Sequence, residues 1–247
     1  MNVDVTGAKI LFTLPFFGGI KFTETVVNSW IIIAAITLLC VWLTRGLQVR
    51  PTTKRQVVVE YLYNMLSNFV KANMGEKFMY FVPFIAALFS LSAFSSLSSL
   101  ICMQPPTADL STTLGWSLLV FALITFYKIK TNGFLGYLKG YTQPIVVLTP
   151  FNLISEVATP VSMAFRHFGN IASGGVITAL IYGALAALST GLLGWLPGFL
   201  GTIPLFQLGI PAALSIYFDV FSSFAQAFIF CMLTMLYIAS AAETDEA

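Results

Sequence analysis

Arg166 poses the chemical question of this sequence. It stands in "PVSMAFRHFGNIASGG", Pro160 to Gly175, within a long run of apolar and small residues and beside His167, the only histidine of the chain. A guanidinium keeps its proton at every physiological pH. A lone charge at membrane depth costs at least about 2.5–3.5 kcal/mol. Arg166 therefore requires a carboxylate, a water-filled cavity or an anionic site on another protein. Within the chain the candidates are Glu156 and Asp219. Glu156 is about 15 Å away along an ideal helix, out of direct reach; Asp219 reaches only from a second helix. A functional charge in ion transport is the stronger reading.

A second polar group lies in "YFDVFSSFAQAF", Tyr217 to Phe228. Seven residues separate Asp219 from Gln226, which puts them on one helical face about 10 Å apart. Ser222 and Ser223 fall between them. A stripe of carboxylate, hydroxyl and amide holds water, relays a proton or coordinates a small cation; a satisfied contact inside a bundle is the plain alternative. Ser162, Gly169, Asn170, Ser173 and Gly174 flank Arg166, and such small side chains let another helix come close, from this chain or another. Glu156 and Asp109 sit near the ends of expected spans and are candidates for aqueous entrances. Capping suits Asp109 equally, because it directly precedes a span. His167 points to a different face from Arg166, and the neighbouring cation disfavours its protonation; a structural role is expected.

The elements that must position these groups are membrane helices. The composition is 57% hydrophobic, 15% aromatic and 9% charged, with a mean hydropathy of +0.87. Soluble domains carry about 25% charged residues, so this chain cannot cover a water-facing surface. A net charge of +2, with no basic run interleaved with aromatics, excludes a nucleic-acid partner. Cys40, Cys102 and Cys231 are far apart in apolar runs and read as small core residues, with neither a metal site nor a disulfide framework. No phosphate-cradling loop, metal-ligand cluster or nucleophile–base pair is present, so no catalytic site and no cofactor are expected. The N-terminal "ILFTLPFFGG" lacks a basic start and a cleavage site and reads as retained.

A spanning helix needs about 20 apolar residues. Three such runs are Val26 to Thr44, Phe78 to Met103 and Leu110 to Ile129. Between the first two, residues 54–73 place Val57, Val58, Tyr61, Leu62, Met65, Leu66 and Phe69 at helical spacing, which predicts an amphipathic helix at the membrane surface or packed on another helix. Arg45, Arg50, Lys54 and Arg55 follow the first span, and Lys128, Lys130 and Lys139 lie at or beyond the end of the third, whereas "QPPTADL" after the second carries no basic residue. Basic residues favour the cytoplasmic side. The N-terminus is then outside, and the Arg45–Lys77 and Lys128–Lys139 segments inside. Residues 151–193 and 205–242 are two apolar stretches joined by "GWLPGFLGTIP". Each is about 60 Å long if helical, twice the ~30 Å hydrocarbon thickness. A long tilted hairpin is expected, returning "AETDEA" to the cytoplasm. The fold class is an all-α polytopic membrane protein of about five membrane helices plus one surface helix.

"PTADLSTTLGWSLLVF", "PVSMAFRHFGN" and "SFAQAFIFCMLTMLYI" occur in an order that resembles the signature segments of subunit a of the F-type ATP synthase. The resemblance runs from about Phe78 to Ser240. It implies an ion-translocating stator subunit beside a ring of c subunits, each with a membrane-embedded carboxylate, held by b-type subunits of a peripheral stalk in an energy-coupling bacterial membrane. It implies two aqueous half-channels carrying H⁺, or Na⁺, to and from the ring. The family's essential arginine matches Arg166, its glutamine on the last helix Gln226, and its asparagine after the arginine Asn170. Some members carry a glutamate nine residues after the arginine and a histidine seven before the glutamine; here those positions hold Gly175 and Asp219. The acidic group has crossed to the facing helix, which gives Asp219 a channel role by position. Two other classes compete. A secondary transporter would show paired inverted repeats, and none is convincing; a passive anchor would tolerate loss of both Arg166 and Asp219.

Overall fold

The computed structural model describes residues 9–15, 20–49, 53–101, 103–143, 145–193, 214 and 216–242. Helices α1 (Glu24–Thr44), α2 (Lys54–Met74), α3 (Val82–Leu97), α4 (Leu110–Gly140), α5 (Thr149–Leu193) and α6 (Ser222–Ala242) account for most of them. Among the described residues, five helical segments are long and apolar enough to cross a membrane. The chain is an all-α polytopic membrane protein, with backbone hydrogen bonds satisfied inside each helix as a bilayer demands.

The core gathers around α6. Phe230, Cys231, Met235, Ile238 and Ala241 pack against Val82, Ile85 and Leu88 of α3, Val120 and Ile124 of α4, and Val70 and Met74 of α2. Met163 is the contribution of α5 to this cluster. On α1 the buried residues are Thr25, Asn28 and Ile32, while Trp30, Leu38, Val41 and Trp42 face outward. Cys40 is exposed on that outer surface and Cys231 is buried. Expected as core residues, the two cysteines divide, because α1 is apolar all round and touches the bundle chiefly at its start. Cys102 lies outside the described residues.

Polar tethers fix the ends. Thr25 Oγ1 donates to Asp109 Oδ2 at 2.8 Å, and Asn28 Nδ2 to the Gln104 carbonyl at 2.9 Å. Asp109 Oδ1 accepts from the Ser111 amide at 2.9 Å and so caps α4. At the other end of the bundle the Tyr80 and Tyr127 hydroxyls lie 2.8 Å apart, joining the start of α3 to α4. Arg55 donates to the Trp42 and Arg45 carbonyls and lies 5.5 Å from the centre of the Trp42 ring, closing the orphan carbonyls of α1.

Several details depart from the sequence reading. Ile10–Leu14 and Ile20–Thr23 form an antiparallel hairpin, β1–β2, with Phe12 stacked on Phe22 at 4.6 Å; periodicity over so short a run gave no signal for it. The second span is not one uniform helix: 3₁₀ turns at Glu76–Phe81 and Ser98–Ile101 flank α3. α4 runs past Ile129 to Gly140, across a bend where Gly133 takes φ 72°, a value only glycine adopts without strain. The expected hairpin loop and residues 205–213 of its second arm, with "ETDEA", lie outside the described residues.

Candidate ion-translocation site

α5 is 45 residues long with Pro160 inside it. At about 1.5 Å per residue it exceeds twice the hydrocarbon thickness. Proline has no N–H to give the carbonyl four residues earlier, so the Glu156 carbonyl loses its helical donor.

Arg166 is exposed on the outer surface of α5 and makes no hydrogen bond or ion pair with any described residue. Ser162, Asn170 and Ser173 are exposed on the same helix. At about 100° per residue they fall within about 40° of Arg166. A Cβ built on Gly169 meets nothing within 4 Å, so the chain's own packing does not require a glycine there.

His167 is fully buried. Its Nε2 lies 3.3 Å from Ser92 Oγ, and its ring packs edge-on against Trp116 at 5.9 Å and Phe230 at 5.5 Å. It joins α5 to α3, α4 and α6 one residue from Arg166, about 100° around the helix from it.

Asn170 Nδ2 donates to Gln226 Oε1 at 2.6 Å. Gln226 is 2% exposed. The stripe and the arginine helix therefore meet, one turn beyond Arg166. Asp219 lies in a π-helical turn, Ile216–Phe221, which leads into α6; such turns recur at functional sites. Ser223 Oγ donates to the Asp219 carbonyl. Counting back from the Asn170–Gln226 joint along antiparallel helices brings Asp219 close to the level of Gly175, where an added Cβ meets nothing within 4 Å.

Glu156 is not the partner of Arg166. Lys128 of α4 holds it, with Nζ 2.7 Å from Oε2 and 3.0 Å from Oε1. The pair lies in the wall of a cavity of about 530 Å³ between α4, α5 and α6, which Asn132, Tyr137, Ser155, Thr159 and Ser240 also line. Thr159 is about 10 Å along α5 from Arg166. At the rim, Asn152 Nδ2 donates to the Tyr141 carbonyl at 2.9 Å and to that of Gln143 at 3.2 Å. Tyr141 donates its hydroxyl to Tyr137. Burial, then that hydrogen bond and the charge of Glu156, push the Tyr141 hydroxyl well above its ordinary pKa, so it stays a neutral donor.

Neither the Lys128–Glu156 pair nor the cavity figured in the sequence reading. Lys128 counted there as a membrane-edge charge; the signal available was a cation at helix depth across from a carboxylate. Asp109, a candidate for an aqueous entrance, spends both of its oxygens on the α4 cap and the Thr25 tether and belongs to neither polar region beside Arg166. Among the described residues no group of histidine, cysteine and acidic side chains could hold a metal ion.

Two polar regions thus flank one cation along α5: the cavity around Glu156 on one side, and Asn170, Gln226 and Asp219 on the other. Set in a five-span helical bundle, this is the layout of an ion-translocating membrane subunit. The family model described as ATP synthase A chain matches residues 26–239, and the chain belongs to that family, the ion-translocating component of the membrane sector of the F-type ATP synthase. ATP synthase subunit a of Desulforamulus reducens is 35% identical, over 87% of this chain and 78% of its own length. The sodium ion specific subunit a of Propionigenium modestum is 32% identical, over 95% and 84%. Subunit a 1 of Crocosphaera subtropica is 33% identical, over 96% and 94%.

Proposed function

We propose that Arg166 is the gate between two half-channels and that its partner is the carboxylate of a neighbouring c-type ring. The observation that carries this is the position of Arg166: exposed, unpaired among the described residues, and set along α5 between two polar regions. The cavity around Glu156 is one access path. Asn170, Gln226, Asp219 and Ser173 belong to the other, with Ser162 beside the gate. A fixed cation favours the ionised form of a carboxylate that reaches it. That carboxylate must take up an ion before it turns into lipid, where bare charge is costly. An arginine cannot release its own proton, so it blocks direct passage between the paths. Each charge crossing gives about 2.3 kcal/mol per 100 mV for rotation.

In this reading the basic segments Arg45–Lys77 and Lys128–Lys139 lie inside. The Tyr80–Tyr127 contact supports this by joining the two at one end of the bundle. The cavity then opens inside and Asp219 lies toward the outside. The b-type stalk subunits hold the chain as stator, and the chain itself has no catalytic site.

The test is Arg166→Ala in the assembled complex, reconstituted in liposomes. Ion-driven ATP synthesis falls at least about 100-fold, as loss of about 2.7 kcal/mol of transition-state stabilisation requires, while assembly persists. Coupled synthesis at the wild-type rate would sink the reading.

A further inference from the structure

The ion pair in the cavity wall does something the gate does not need. Lys128 Nζ contacts both oxygens of Glu156, whose side chain is 13% exposed. Glu156 is the one carboxylate among the cavity-lining residues. Hard cations are held by oxygen ligands, foremost carboxylates. Here an ammonium on a tether already stands where such a cation would bind, and it cancels the local negative charge. What remains in the wall is neutral: Asn132, Tyr137, Ser155, Thr159 and Ser240. Hydroxyls and amides of this kind order water and pass a proton along hydrogen bonds, but they supply no fixed charge to concentrate a metal cation.

We propose that Lys128 is a tethered counter-cation that closes this cavity to sodium and reserves it for protons, a specificity-determining residue that acts through Glu156. The proposal rests on the reading of the cavity as an ion access path. Removing the ammonium would leave a carboxylate beside its own carbonyl, which Pro160 deprives of a helical donor. Those oxygens form the beginnings of a sodium site.

The experiment uses the whole complex in liposomes, with ATP-driven proton uptake read by a pH-sensitive dye. Sodium replaces choline on the Lys128 side at constant ionic strength, so that screening does not change. Wild type is indifferent to the exchange. Lys128→Met is slowed at least about fivefold by roughly 100 mM sodium, the reading expected if a carboxylate of ordinary weak affinity has been uncovered. Lys128→Arg keeps the cation and stays indifferent, and so does Lys128→Met with Glu156→Gln, which removes the site. A Lys128→Met complex as indifferent as wild type overturns the proposal. One arm needs no variant: ATP-driven uptake of radioactive sodium by the wild-type complex overturns it as well. Failure of the gate reading is separate, since coupled transport in Arg166→Ala refutes that reading whatever the response to sodium.

Discussion

The most apolar stretches of α5 and of α6 with its π turn have mean hydropathies of 1.9 and 1.8, yet the chain itself buries 6% of the first and 50% of the second. Both carry polar residues. On α6 these are turned inward and satisfied: Ser223, Gln226 and Thr234 are buried with hydrogen-bond partners. On α5 Arg166, Asn170 and Ser173 are exposed, among Phe151, Val157, Val161 and Phe165. Lipid offers no hydrophobic drive to choose between the two helices, since its tails are as apolar as leucine. Packing shape and polar satisfaction decide instead. α6 is the helix the fold is built around; α5 is the helix the fold holds out.

The contrast breaks most sharply at one residue from each helix. Phe230 is 2% exposed and touches the His167 ring. Phe230→Ala removes core packing worth about 3–5 kcal/mol. The subunit then assembles poorly, as a loss of subunit from detergent-purified complex would show, and activity per assembled complex changes little. Arg166→Ala gives the reverse, with full assembly and no synthesis. Equal loss of assembly in both variants would mean that α5 is as deeply seated as α6.

The two helices meet at Asn170 and Gln226, and this joint sharpens the comparison at smaller scale. Asn170→Ala leaves the buried Gln226 Oε1 without its donor, at about 1–3 kcal/mol. Synthesis falls about tenfold, the equivalent of 1.4 kcal/mol. Replacing both residues with alanine costs less than the sum of the single changes, because the second removes a group already unpaired. Strict additivity in the double-mutant cycle would show that the 2.6 Å contact carries no coupling between the helices.

How much of this was legible in the sequence follows from the same contrast. Arg166 was conspicuous because a permanent charge in an apolar run has few explanations, and the spacing of Asp219 and Gln226 marked a polar face. The assignment of faces was not legible. On α2, Val57, Val58, Tyr61, Leu62 and Met65 sit at helical spacing, yet they are exposed, while Ser67, Val70 and Met74 are buried. In a membrane protein an apolar face marks lipid or protein alike, so periodicity locates a helix without saying which side packs. Spacing along one helix was enough to set Glu156 out of direct reach of Arg166, but it could not name the residue that holds it, because Lys128 is 28 residues away on another helix. Separation along the chain hides such pairs, and only the antiparallel packing of α4 on α5 brings them together.

The smallest effect tests whether the outward side of α5 is a working surface. Gly169 and Gly175 each have open space around a built Cβ, so alanine at either is tolerated by the chain's own packing and gains about 0.8–1 kcal/mol of helix propensity. They differ in azimuth. At about 100° per residue Gly169 lies some 60° from Arg166, whereas Gly175 lies on the opposite side of the helix. Under the proposed gate, a ring passing Arg166 would brush Gly169 and miss Gly175. Gly169→Ala therefore slows synthesis about two- to fivefold by adding one methyl to a close approach, a penalty of up to about 1 kcal/mol, and Gly175→Ala leaves the rate unchanged. If both glycines respond alike, the close approach is not centred on Arg166, and what distinguishes α5 from α6 is lipid exposure alone.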